Sequence, residues 1–203
     1  MTRISNSLPS RQVRAAFTTA TVRVYQAYSP AIADKAVTAQ RFVPPFSRDR
    51  MTWIKPSFTW MMYRCGWGEK QGQERILAID MLRTGFESAL AQACLSHYDK
   101  SLHTSSEAWR LALKQSPVRV QWDPERDVYL QPLDHRAVQI GLEGDAIRAY
   151  VDEWAQTITD ITDFAKTVRR CLQMEGADAA CALLPKEEPY PLPSEIARHI
   201  GCT

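Results

Sequence analysis

The chain contains neither G-x-x-x-x-G-K-[S/T] nor G-x-G-x-x-G, so the two common glycine-rich ways of cradling a nucleotide phosphate are excluded. A G-x-S-x-G elbow and an H-E-x-x-H helix motif are missing too, which removes the sequence basis for a serine hydrolase or a zinc peptidase. The four histidines, His97, His103, His135 and His199, are scattered and share no short spacing with another metal ligand. Each reads as a surface or helix-end histidine, and no metal site is expected. The five cysteines are widely spaced and form no C-x-x-C pair. That excludes a zinc knuckle or a dithiol motif and favours reduced thiols in a cytoplasmic protein. No apolar run approaches the length of a membrane helix, and the N-terminus lacks a secretory apolar core. Net charge is only +2, so no overall field directs the chain to nucleic acid or membrane, and any basic surface must be local.

What is present suits a globular domain. Of 203 residues, 45% are hydrophobic and 24% charged, enough to bury a core without disulfides or metal. Residues 1–19 carry arginines, serines and threonines without acids and read as a flexible N-terminus. A strand is expected at about 20–28, then a helix from Ser29-Pro30 to Pro44-Pro45, and a short helix from Pro56-Ser57 to Gly66. "RILAIDML" reads as a buried strand, and Thr84 and Thr104 each precede a glutamate by three positions, a capping-box pattern. "VRVQWDPERDVYLQPL" reads as strand, proline turn and second strand, followed by a strand at "RAVQIGL". Ile147, Val151, Trp154, Ile158, Ile161, Phe164 and Val168 recur at helical steps and predict one long helix over about 145–173. Residues 176–203 are proline-rich and read as a tail laid over the domain or loose in solvent. Together these describe a single α+β domain over 20–175, with a mixed or antiparallel sheet and flanking helices.

One stretch is unusual. "FSRDRMTWIKPSFTWMMYRCGWG" holds half of the six tryptophans, four cations and a single acid. Cations beside flat rings suit a ligand that carries phosphates and a heteroaromatic base. Arg48, Arg50, Trp53 and Lys55 are the candidate wall, with Thr52 and Ser57 as neutral donors. Trp60, Met61 and Met62 fall at helical spacing and read as core. In "VQWDPERD", Gln121 and Asp123 lie two apart on a predicted strand and share a face. Asp123 or the following Glu125 is a candidate carboxylate for stabilising a developing sugar cation; a charged turn is the alternative. In "VRVYQAY", Arg23 alternates away from the flanking valines; facing the interior it needs a partner or an anionic ligand, and facing solvent it needs neither. Gln139 in "RAVQIGL" raises the same question for an amide.

"VYQAYSPAIADKAV", "QRFVPPFSRDRMTWIKPSFTWMMYRCGW", "VRVQWDPERD" and "RAVQIGL" resemble the signature blocks of the domain of unknown function 4291 family over about residues 20–165. That name implies membership and no mechanism. A slighter resemblance is to ADP-ribosyltransferases, which place an Arg or His on an early strand and a Q/E-x-E motif on a later one. It implies Arg23 in the first role, Thr52 or Ser57 as a polar contact of a second motif, and Gln121-x-Asp123 in the third, with Asp where Glu is usual.

Two functions are therefore expected. The first is an NAD-consuming ADP-ribosyltransferase-like enzyme acting on an acceptor such as a nucleic-acid base. In it Arg23, Arg48 and Arg50 hold the diphosphate, Trp53 or Tyr25 stacks on nicotinamide, and Asp123 or Glu125 faces the ribosyl cation, with Gln121 beside them. The second is a non-catalytic module for nucleotide or single-stranded DNA or RNA, using the same wall. A partner-binding role for the proline-rich tail is a third possibility.

Overall fold

The protein is described by a computed structural model covering residues 8–203. Its elements form one α+β domain. The expected strand forms over Thr21–Tyr28 (β2) and pairs antiparallel with Arg75–Leu82 (β4), which pairs antiparallel with Ala155–Asp160 (β8). A second sheet runs in the order Thr52–Ile54 (β3), Pro132–Leu142 (β7), Val118–Arg126 (β6) and Ala93–Leu95 (β5). It is antiparallel except for the β5–β6 pair. A third, two-stranded pairing joins Arg14–Ala15 (β1) to Glu188–Pro189 (β9).

β4 shows why the apolar run reads as it does. Leu77, Ile79 and Met81 enter one buried cluster with Val22, Val24 and Ile54, while Ile76 and Ala78 enter another with Tyr25, Phe58 and Met61. Buried on both faces, the strand needs apolar residues at consecutive positions. Each such aliphatic side chain contributes about 1.5–3 kcal/mol when fully buried.

Helices cover the sheets. Pro30–Ala39 (α1) starts after Ser29 with proline in its first turn and stops at Gln40, which takes the left-handed conformation at φ 51°. Phe58–Cys65 (α2) is capped by Ser57, whose hydroxyl accepts from the Trp60 backbone N–H at 3.1 Å, and ends at left-handed Gly66. Arg83–Ala91 (α3) follows β4 directly and has no side-chain cap, so Thr84 lies inside the helix instead of capping it. Ser106–Gln115 (α4) is capped by Ser105 and not by its neighbour Thr104.

The expected helix over 145–173 is broken. Asp145–Ala149 (α5) runs into a π-helical turn at Tyr150–Trp154, strand β8 intervenes, and Thr162–Glu175 (α6) resumes. The backbone of Ile158 explains the interruption. It lies opposite Ile79 on β4, and its free side bonds the Gln40 side-chain amide, which donates to the Ile158 carbonyl at 2.9 Å and accepts its N–H at 3.1 Å. Tertiary pairing thus outweighs a helical apolar period in which β-branched Thr157, Ile158 and Thr159 carry weak helix preference. β6 likewise runs through Pro124, with a register shift between Pro124 and Arg126, and the chain reverses later, between Asp127 and Gln131.

The last 27 residues lie over the domain, with Ala177–Leu183 (α7), β9 and Ser194–His199 (α8). Tyr190 and Ile200 are buried, and the Trp122 indole N–H donates to the Ile200 carbonyl at 2.8 Å.

Candidate functional site

The two larger sheets meet at one point. Tyr25 N–H donates to Lys55 O at 2.7 Å and Lys55 N–H to Tyr25 O at 3.3 Å. Beyond this bridge β2 and β3 part, and a buried amide fills the seam. Gln26 Nε2 lies 2.8 Å from Thr52 Oγ1, 2.7 Å from Tyr28 OH and 3.2 Å from Trp53 O, while Gln26 Oε1 accepts from Tyr150 OH at 2.8 Å. The alternation of β2 aims Gln26 to the same side as Val22 and Val24, so an amide stands where an apolar residue is usual.

A cleft of about 460 Å³ opens at this seam. β2 contributes Gln26 and Tyr28, and the β3 segment contributes Arg50, Thr52, Trp53 and Lys55. Gln121 from β6 and Gln139 from β7 close one side, and Arg64 from α2 and Gln73 another. Gly141 on β7 sets the place of Trp53. A Cβ there would come within 2.7 Å of Met51 Sδ and 3.0 Å of the indole, so both side chains pack directly onto the bare backbone.

The cleft is cationic. Arg50, Lys55 and Arg64 make no ion pair among the described residues, unlike Arg23 and Arg48; Arg14, Arg110, Arg126, Arg136, Arg170 and Arg198 are likewise without one, but none of these lines the cleft. Lys55 is 5% exposed, donates to Trp53 O at 3.0 Å and lies 5.7 Å from the centre of the Trp60 ring. Burial, assisted by the Arg64 charge and opposed by that of Asp123, lowers its pKa to about 7. Asp123 is held between two cleft glutamines. Gln121 Nε2 donates to Oδ1 at 2.9 Å, and Gln139 Nε2 makes a short bond to Oδ2.

The cleft therefore gathers Arg50, Thr52, Trp53, Lys55 and Gln121 of the expected residues; Asp123 is bonded to its wall through Gln121 and Gln139 but lines a neighbouring pocket of about 320 Å³ with Arg11, His97 and Arg136. The others lie elsewhere. Arg23 is engaged by Asp80 across β4, with both guanidinium contacts at 2.8 Å. Arg48 grips Asp152 with two bonds, at 2.7 and 2.9 Å. Tyr25 is 1% exposed and packs edge-on against Phe58 in the second core cluster. Ser57 caps α2 and donates to Glu125 at 2.9 Å, so these two belong to a different nest. Glu125 also accepts from Thr59, and the nearby Glu187 carboxylate accepts the Phe58 backbone N–H at 2.8 Å. Burial raises the pKa of both acids, that of Glu187 to about 8 with a further contribution from Glu125.

Gln26, Tyr28, Arg64, Gln73 and Gln139 are cleft residues beyond the sequence-predicted set. Gln26 and Gln139 had a signal, since each is an amide set among apolar strand residues. Arg64 and Gln73 had none: a cation in the last turn of a helix and a loop glutamine are ordinary.

These cleft residues all fall within one family match, which spans residues 12–190. The chain belongs to the DUF4291 family, described as a domain of unknown function. No curated protein matches it. The match covers the β2 and β3 blocks, the "QWDPER" strand and the "AVQIG" strand, which are the segments that build the cleft. No helix among the described residues is long and apolar enough to cross a membrane.

Proposed function

We propose that this DUF4291 domain binds NAD in the seam cleft and cleaves its nicotinamide–ribose bond, transferring ADP-ribose to an acceptor such as a nucleic-acid base. The observation that carries the reading is the gathering in one cleft of Arg50, Lys55 and Arg64, which have no ion pair among the described residues, with the Asp123 carboxylate bonded behind its wall by the cleft glutamines Gln121 and Gln139. Cations that no carboxylate among the described residues engages suit a diphosphate, whose oxygens accept charge-assisted bonds. Trp53, half-buried at the same wall, offers a ring to a positively charged pyridinium.

Chemically, the C1′–N bond breaks with its electron pair going to nicotinamide, which leaves neutral. Positive charge develops on the ribose and is stabilised by a nearby carboxylate. The acceptor nucleophile then bonds C1′ and loses its proton to solvent or a base. Asp123 supplies the carboxylate. The two glutamine amides fix its orientation in advance, so it needs no rearrangement during the reaction.

The test is NAD binding by calorimetry together with nicotinamide release in the presence of single-stranded DNA, RNA and protein acceptors. Binding that is lost in Arg50→Ala, with nicotinamide released by the wild type, supports the reading. Absence of both binding and release overturns it. A second reading, a non-catalytic nucleotide or single-stranded nucleic-acid module, draws on the same cations and Trp53, and on the fact that both Asp123 oxygens are already bonded. It predicts binding with steep salt dependence and no nicotinamide release.

A further inference from the structure

We propose that a side chamber of the cleft, bounded by Ile32, Phe46 and Tyr28, is the subsite for the adenine base. The dinucleotide then lies across Arg50 with its nicotinamide riboside end towards Gln121 and Asp123. This rests on the NAD reading above.

The chamber has a volume of about 300 Å³ and adjoins the main cleft of about 460 Å³. The two share Ala27, Tyr28, Arg50, Met51 and Thr52 as a common partition. Their other walls differ in kind. The main cleft carries Lys55, Arg64 and four glutamines. The side chamber carries Ile32 from α1 with Pro45, Phe46 and Ser47 from the following loop, and no charged residue besides Arg50. Phe46 is anchored, with its ring centre 5.8 Å from that of Tyr28 and 4.6 Å from that of Phe42, so the aromatic wall is part of the core.

A two-lobed cavity with an arginine at its waist fits a two-ended ligand whose charge lies in the middle. The flat base fills the side lobe, where it can stack on the rings of Tyr28 and Phe46. The diphosphate reaches Arg50, and the remaining ribose lies among the glutamines. The carboxylate fixes which end goes where. Asp123 lines a neighbouring pocket, but both its oxygens are bonded by Gln121 and Gln139, which line the main cleft and not the side chamber; this places the reacting end in the main cleft and the non-reacting adenosine in the side chamber.

The experiment measures dissociation constants of NAD, AMP and nicotinamide mononucleotide for the full chain and for two variants at Ile32, a half-buried helix position. Ile32→Trp fills the chamber and Ile32→Ala widens it; thermal melting reports whether each folds. Ile32→Trp is expected to weaken AMP and NAD by about 10-fold or more and to leave nicotinamide mononucleotide within about 2-fold. Ile32→Ala is expected to weaken AMP by about 3-fold with the same selectivity, and it decides the matter alone if the tryptophan variant does not fold. Loss of nicotinamide mononucleotide with AMP retained reverses the orientation and overturns the proposal. NAD binding unchanged in both variants removes the subsite and leaves the NAD reading standing. No NAD binding by the wild type removes both.

Discussion

Pro56 separates two opposite electrostatic solutions. Before it, Arg50 and Lys55 face the seam cleft, joined by Arg64 from α2, and none of the three has a carboxylate partner among the described residues. After it, Glu125 and Glu187 gather at the start of α2 without a cationic ion-pair partner there. The acid nest solves its problem internally. Ser57 and Thr59 hydroxyls and the Phe58 N–H bond the carboxyls, and raised pKa values keep Glu187 mostly protonated at neutral pH. The cleft side is not solved internally. Arginine cannot shed its proton, and the cavity is open to a ligand. A closed cluster of like charges is thus settled by protons and neutral donors, whereas an open one is a place for a counter-ion.

Substitution of the carboxylate behind the cleft glutamines should have the strongest consequence. Asp123→Asn is expected to lower the rate of nicotinamide release by about 100-fold or more, roughly 3 kcal/mol, while NAD affinity stays within about 3-fold. Single-turnover assays and calorimetry on the same preparation check both. Gln139 and Gln121 can turn their amides to bond the new side chain, so the fold should survive. Next in size, Gln26→Leu strands the Tyr150 hydroxyl at the seam and is expected to cost about 2–3 kcal/mol in urea denaturation, with NAD affinity falling alongside.

A smaller effect comes from Lys55. Its free-state pKa is about 7 because of burial, and an anion beside it raises that value. Binding therefore takes up a proton above pH 7, so NAD affinity should fall between pH 7 and 9 by at most about tenfold per unit. Lys55→Met should flatten that slope; an unchanged slope would show that Lys55 does not meet the ligand. The smallest effect lies in the acid nest. A carboxyl raised from 4.5 to about 8 stabilises the fold fully below its unfolded pKa, and that contribution is lost as pH rises through 8. Glu187→Gln should therefore be more stable than wild type at pH 9, by about 1 kcal/mol or 2–4 °C in melting temperature. No difference at pH 9 would mean that the nest is more open to water than its geometry implies.

Much of the fold was legible in the order of residues. β2, β4 and α2 follow from alternation, a continuous apolar run and a Ser cap, which are local properties. The helix expected at 145–173 was not, because its apolar spacing holds while Ile158 is claimed by Ile79 and Gln40 from far away in the chain. The candidate site divides in the same way. Arg50, Thr52, Trp53 and Lys55 could be picked out because they lie within six positions of one unusual segment. Arg23 and Arg48 look equally suited to an anion in sequence, yet Asp80 and Asp152 occupy them, and those partners sit 57 and 104 residues away.

The sequence by itself determined the elements, the apolar faces and the concentration of cations and rings around Trp53, since these depend on residues within a few positions of one another. Tertiary structure alone decided which cations are left without a partner. An arginine is available to a ligand only if no carboxylate reaches it first, and that depends on which distant strands lie side by side. It also decided that Asp123 and Glu125, two residues apart on one strand, belong to different places: the bulge after Pro124 puts the second in a buried nest beside Glu187, where its pKa is raised, while Gln139 from the neighbouring strand bonds the first behind the cleft wall.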